Sequence, residues 1–290
     1  MGVAVAAVIV TALLVWNLST NLTPRSQQIT QQSEIENFET QFTKYFTRTN
    51  EWTFVKSTSV FHTYIKESDF TVENDRKVWN KVLFELDPDI NYDEANIKNT
   101  QQKAIVVYPT FTTSAYTEPG FYTFYRGECN SSCLTIQIKN NFLPQSNPNA
   151  VQVLRLLGYD FTTDVDVDKD PSILAKYDKV IILHNEYVTK KEFDAITSHP
   201  NVIYLYPNAL YAEVKSDYDK NTIMLIRGHN YPSQEIRNGY DWKFDNSELE
   251  YALDCKNMEF NRIDNGWMLN CYPENVIHKN MDLLKIIKKL

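Results

Sequence analysis

At 290 residues, with 43% hydrophobic and 13% aromatic side chains, the chain has the makeup of one large folded domain with a smaller appendage. This excludes bulk disorder and leaves no room for two independent enzymes. A formal net charge of -8 argues against nucleic acid or an anionic lipid surface as partner, because both demand a basic face.

The first element is an apolar run from Gly2 to Leu18 without a charged residue, broken by Ser19, Thr20 and Asn21. Residues 1–18 read as a membrane-targeting segment, at the short edge of the roughly 17–25 residues of a spanning helix. No basic stretch precedes the run and no small-x-small cleavage site precedes Asn17, so the reading is an uncleaved single-pass anchor. A cleaved signal peptide, giving a secreted protein, is the alternative. The membrane is the expected partner of this end, with the bulk of the chain extracytoplasmic. Residues 19–32, Gln-rich and aperiodic, read as a tether. Sequons at Asn17, Asn21 and Asn130 fit that compartment, and Asn21 and Asn130 are the candidate glycosylation sites.

Residues 33–100 are expected to form a helical appendage. Ile35, Phe38, Phe42 and Tyr45 recur at helical spacing behind Ser33 as N-cap, which predicts a helix over about 33–47 packed on the domain. A second helix is expected from Val72 to Leu86, with Val78, Val82 and Leu83 inward, stopped by Asp87-Pro88-Asp89. Residues 101–290 then change pattern. Short apolar runs at Ala104–Tyr108, Val180–Leu183, Val202–Tyr206 and Thr222–Ile226 alternate with helical segments at Ala150–Leu157 and Lys190–Thr197. The second of these follows Thr189, with Glu192 in capping-box position. Such alternation predicts an α/β domain with a mostly parallel sheet covered by helices on both faces. Residues 238–274 read as antiparallel hairpins, and the last ten as a helix whose lysines suit its C-terminal dipole.

Four cysteines permit three pairings, and Cys129–Cys133 with Cys255–Cys271 is the favoured one, as expected of an oxidising compartment. A four-thiolate zinc site is the alternative, weakened because only the first pair has knuckle spacing. The alternate acids of Asp164-Val165-Asp166-Val167-Asp168-Lys169-Asp170 invite a calcium loop. Lys169 and Ala175 stand where that loop needs Gly and Glu, so the run reads as a solvated loop, with another kind of cation site as the alternative.

In an open α/β sheet, ligands bind outside the carboxyl ends of the strands. His184-Asn185-Glu186-Tyr187, Asn208 to Tyr211, and His229 follow three of the apolar runs. If those strands are neighbours, His184, Glu186, Tyr187, Asn208, Tyr211 and His229 converge on one rim. His184, Glu186, Asn208 and His229 are then the catalytic candidates. Each also has an ordinary role open to it: a hydrogen-bonded loop histidine, a capping glutamate, a tyrosine with a packed ring and a wet hydroxyl.

His184-Asn185-Glu186-Tyr187, a helix, and then Val202 to Tyr211 resemble the H-D-E-Y-W, helix, strand, G-N-x-x-Y-W pattern of the N,N-dimethylformamidase large-subunit domain. That domain is similar in fold to class I glutamine amidotransferases. The resemblance covers about residues 100–230, with Asn185 for Asp, Val188 for Trp, Pro207 for Gly and Ala212 for Trp. It implies a doubly wound, flavodoxin- or amidotransferase-like sheet, and one mononuclear metal ion, iron, held by tyrosines and a glutamate; Tyr187, Tyr211 and Glu186 are the candidates. It also speaks against glutaminase chemistry, since Tyr206-Pro207-Asn208 holds no thiol where the nucleophilic cysteine would stand.

Two functions follow from this. One is a non-catalytic surface or binding module on an amidotransferase-like fold, with other envelope proteins or glycans as partners. The other is a metal-dependent hydrolase acting on amide C–N bonds. The second predicts a deep pocket with converging polar groups and shifted pKa values; the first predicts Tyr187 and Tyr211 buried and scattered.

Overall fold

The computed structural model describes residues 37–139 and 141–290. The anchor, the tether, the Ser33 cap and the Asn21 sequon lie outside the described residues. Among the described residues no helix is long and apolar enough to cross a membrane.

Helix α1 (Phe38–Phe46) begins behind Asn37, whose side chain accepts from the Glu39 N–H at 2.8 Å. Asn37, rather than Ser33, caps the described helix. Its apolar stripe packs on the domain: Phe38 stacks on Phe161 at 5.4 Å and meets Tyr108 at 5.1 Å. The remainder of the appendage is strand, with β1 (Thr53–Val55), β2 (His62–Ile65), β3 (Phe70–Glu73), β4 (Arg76–Trp79) and β5 (Val82–Glu85). The helix expected from Val72 to Leu86 is therefore absent. Asn74 and Asp75, both with positive φ, form a two-residue turn that pairs Glu73 with Arg76, and such a turn closes a hairpin. Val72 and Val78 are exposed, while β5 joins β2 and buries Leu83 and Phe84. Contacts do not separate the appendage from the rest, since everything after Glu34 forms one unit.

The remaining elements are β6 (Ala104–Tyr108), α2 (Thr110–Ala115), α3 (Phe121–Tyr125), β7 (Thr135–Gln137), α4 (Pro148–Leu156), β8 (Asp160–Thr163) and α5 (Asp164–Lys169). They continue with β9 (Lys179–Ile182), β10 (Tyr187–Val188), α6 (Lys190–Ser198), β11 (Val202–Tyr204), β12 (Ala212–Asp217) and β13 (Thr222–Arg227). The chain ends with β14 (Phe260–Ile263), β15 (Gly266–Leu269) and α7 (Met281–Lys289).

The central sheet runs β14-β15-β11-β9-β6-β8, parallel throughout except for β14. Its strands are apolar on both sides because both sides are covered. Val106, Ile181 and Ile203 pack with Leu154 of α4 and Leu284 of α7, while Ile105, Ile182 and Val202 pack with Val167 of α5 and Ile196 of α6. In chain order the five parallel strands lie 2-1-3-4-5, so the winding reverses between β6 and β9.

The run at Thr222–Ile226 does not join this sheet. β13 lies antiparallel to β12 in a second sheet, β10-β12-β13-β7. Only four residues separate β12 from β13, too few for the crossover that a parallel neighbour needs. In 238–274 one hairpin forms, β14–β15, and the rest is irregular chain fixed by aromatic packing such as Phe193 on Tyr240 at 4.0 Å. The terminal helix is present, capped by Asn280, and the buried Lys179 donates to the Ile287 and Lys288 carbonyls at 3.0 and 2.9 Å. Burial lowers the Lys179 pKa to about 8.

Both expected disulfides are formed, which removes the zinc alternative and fits an oxidising compartment. The Asp164–Asp170 run is not a solvated loop. It folds as α5 behind Thr163, with Asp166 completing a capping box and Asp164 and Asp168 fully enclosed. Glu192, expected to complete a capping box on α6, does not do so; Thr189 caps alone, accepting from the Glu192 N–H at 3.3 Å.

Candidate functional site

β6, β9 and β11 end side by side, and the chain leaving each contributes to one wall of a cleft of about 910 Å³. Asn147 anchors the second of these ends. Its carbonyl oxygen accepts from the His184 N–H at 3.0 Å, and its amide donates to the Tyr272 hydroxyl at 2.9 Å. The segment after His184 is pinned to the segment after Asn208, because the Leu210 N–H donates to Asn185 O and the Tyr211 and Ala212 N–H groups donate to Glu186 O. Backbone pairing thus holds Glu186 directly behind the residues that line the cleft.

Glu186 is fully buried. One carboxylate oxygen bonds His229 Nε2, the other lies 3.7 Å from His184 Nε2, and the Tyr122 hydroxyl stands 3.2 Å from Oε1. Burial alone would raise its pKa, but the facing His229, then His184 and a tyrosine hydroxyl, outweigh burial and hold it below the usual carboxylate value. His184 is pushed the other way, its pKa lowered chiefly by burial. Its Nδ1 donates to the Gln145 carbonyl at 3.3 Å, and its Nε2 has no hydrogen-bond partner.

His229 arrives from the second sheet at the end of β13. Gly228 brings it there with φ +120° and lies so close to Ala212 that an added Cβ would stand 2.9 Å from Ala212 Cα. His229 and Asn230 themselves hold positive φ, as do Asn208 and Leu210 across the cleft. Four non-glycine residues in this sparsely populated region mark a site whose side-chain directions are imposed by the fold. The His229 ring is enclosed by tyrosines: it stacks on Tyr125 at 5.0 Å and on Tyr187 at 5.5 Å, and meets Tyr211 edge-on at 4.7 Å.

All six expected residues are brought together. His184, Asn208, Tyr211 and His229 line the cleft, while Glu186 and Tyr187 lie fully buried behind them, the first bonded to His229 and the second packed on it. Tyr187, Tyr211 and Glu186 do not fit an iron ligand set, because the His229 imidazole fills the space between them, bonded to one and packed on the other two. Among the described residues no group of three His, Cys, Asp or Glu is placed to hold a metal ion.

Other residues of the cleft escape the sequence reading. Tyr116, Tyr122 and Tyr125 follow β6, a fourth apolar run whose carboxyl end opens on the same rim, and the rule of strand ends points to them as well. Glu250 and Tyr251 come from irregular chain, where periodicity gives no signal. Glu250 is half-buried, and its pKa rises to about 7 through burial and then through the Glu186 charge. Glu274 is raised to about 7 by burial, but it is committed elsewhere, accepting from Tyr206 and from the first amides of α4. No protein-family model and no curated protein matches the sequence.

Proposed function

We propose that the chain is an extracytoplasmic hydrolase working by general acid and base catalysis, with His229, paired to Glu186, and Glu250 facing one cleft. The observation that carries this reading is the bond from the buried Glu186 carboxylate to Nε2 of His229, whose ring lines the same cleft as Glu250; burial and the Glu186 charge raise Glu250 while the facing histidine holds Glu186 low. Neighbouring carboxyl groups driven apart in this way suit one base and one acid at the same pH. Glu186 fixes His229 through Nε2, leaving Nδ1, which makes no hydrogen bond to the described residues, to act as the base. A water attacking the substrate gives its proton to Nδ1, the scissile bond breaks, and the leaving group takes a proton from Glu250. No cysteine nucleophile is needed. The strand order supports the doubly wound, flavodoxin-like fold expected from the sequence.

The test is hydrolysis by the purified full chain over a panel of chromogenic amides, esters and glycosides, beside Glu186→Gln and His229→Gln. Removing a general base lowers kcat by about 10²–10⁴-fold. Turnover lost in both variants, with melting curves unchanged, supports the reading. No turnover on any class returns the protein to a binding module, and turnover that survives Glu186→Gln overturns the Glu186–His229 mechanism. A stoichiometric metal that is lost in Tyr187→Phe/Tyr211→Phe would favour the metal-dependent amidase instead.

A further inference from the structure

We infer that the cleft takes an uncharged carbohydrate chain, seated with its sugar faces on tyrosine rings and its hydroxyl groups on the amide and imidazole edges between them. This deepens the hydrolase reading and rests on it for the bond that is cut, but not for binding.

The lining decides the ligand class by exclusion. Arg237 is the one Lys or Arg on the wall, beside the hydroxyl of Tyr211, and the same lining carries three carboxyl groups, Glu248, Glu250 and Glu274, so a phosphate or carboxylate meets more acid than base. A cationic ligand would need a free anion, and the buried carboxylates are engaged. Glu186 is bonded to His229, and Glu274 is taken up by Tyr206 and the start of α4. Glu250, raised to about 7, is about half protonated at neutral pH, and Glu248 is exposed at the mouth. A greasy ligand would strand the polar groups that remain: His184 Nε2 and Asn208 Oδ1 are buried on the wall without partners, and Gln145, Asn230 and Asn275 stand beside them.

Six tyrosines, Tyr116, Tyr122, Tyr125, Tyr211, Tyr251 and Tyr272, supply the apolar part of the lining together with Leu253. A sugar ring is the common ligand that offers C–H faces to aromatic rings and donors and acceptors around its edge. Tyr251 is 82% exposed at the lip, and nothing within the fold accounts for a ring left in water there. A chain entering the cleft covers it. A volume of about 910 Å³ lies at the upper end of small-ligand pockets and suits more than one sugar ring.

Calorimetric titration of the full chain tests this with cello-, malto-, xylo-, manno- and chitotetraose, an anionic trigalacturonate and the polyamine spermine. Glu186→Gln is used to block turnover, and Tyr251→Ala, at a position too exposed to affect folding, removes the lip. At least one neutral oligosaccharide should bind both wild type and Glu186→Gln, with about tenfold weaker binding to Tyr251→Ala. Spermine or trigalacturonate binding in preference, no binding of any neutral sugar, or equal affinity in Tyr251→Ala overturns the inference. Neutral-sugar binding without cleavage would sink the hydrolase reading alone, and cleavage of a non-carbohydrate substrate without sugar binding would sink this inference alone.

Discussion

Glu192 occupies the position from which a glutamate ordinarily reaches back to its helix cap, yet it is fully enclosed and neither carboxylate oxygen has a partner. Burial, and then the neighbouring Asp164 and Asp168, raise its pKa well above the ordinary value. The native state therefore binds a proton more tightly than the unfolded chain. The stability this lends is complete below the unfolded pKa of about 4.3 and is lost as pH rises toward the native value. Glu192→Gln keeps the shape without the charge. It should melt a few degrees higher than wild type at pH 8, where folding the wild type must bury a charge or take up a proton and folding the variant does neither, and the gap should close toward pH 4. A variant that melts lower than wild type at pH 8 would show that an ionised Glu192 is useful to the fold. Glu250 gives a second pH dependence, this time in activity. As the acid it must hold its proton, so kcat/KM should fall above a pH of about 7, and in Glu250→Gln that limb should vanish along with most of the rate. An unchanged alkaline limb in the variant would assign the acid elsewhere.

At the scale of elements, the turn that delivers His229 depends on Gly228. Any other residue there must hold a φ of +120° and push its Cβ into Ala212, so β12 and β13 would separate where the cleft begins. Gly228→Ala should cost about 1–3 kcal/mol in urea unfolding and reduce turnover. Gly127→Ala, also at positive φ but with nothing within 4 Å of its Cβ, is the control and should leave turnover unchanged. If both cost the same, conformational strain accounts for the effect and the approach of Gly228 to Ala212 contributes nothing. The central elements were legible in the sequence because strands covered on both faces must be apolar throughout, as at Ala104–Tyr108 and Val202–Tyr204. The hairpin at 70–79 was not. Val78, Val82 and Leu83 happen to fall at helical spacing, and the decisive signal was two residues long, Asn74-Asp75, whose left-handed backbone overrides any periodicity. Half of the cleft followed from strand ends. The other half hangs on the path of irregular chain after β13, which only tertiary packing determines.

For the molecule as a whole, the two disulfides have unequal tasks. Cys129–Cys133 closes a separation of 4 residues beside an exposed sequon asparagine, and neither cysteine lines the cleft. Cys255–Cys271 closes a separation of 16 and ties the end of β15, in the central sheet, to the chain that carries Glu250 and Tyr251. Loop-closure entropy alone assigns about 2 kcal/mol to the first and about 3 kcal/mol to the second. The second should exceed this difference in its effect on function, since the residues before Cys255 have little regular structure to hold them: one turn of 3-10 helix, Ser247–Leu249, the Asn246 bond to the Asn208 N–H at 3.1 Å, and the Tyr272 N–H donated to Ala252 O at 3.0 Å. Cys255→Ser/Cys271→Ser is therefore expected to lose the acid and the tyrosine lip of the cleft together, with ligand affinity and turnover falling at temperatures where the fold persists by circular dichroism. Cys129→Ser/Cys133→Ser should melt slightly earlier and otherwise behave as wild type. Comparing the pair by denaturant unfolding and by activity separates entropy from positioning. If both variants lose activity only in proportion to stability, the Cys255–Cys271 bridge is a staple and no more; if the second loses activity while still folded, the bridge holds one wall of the site in place.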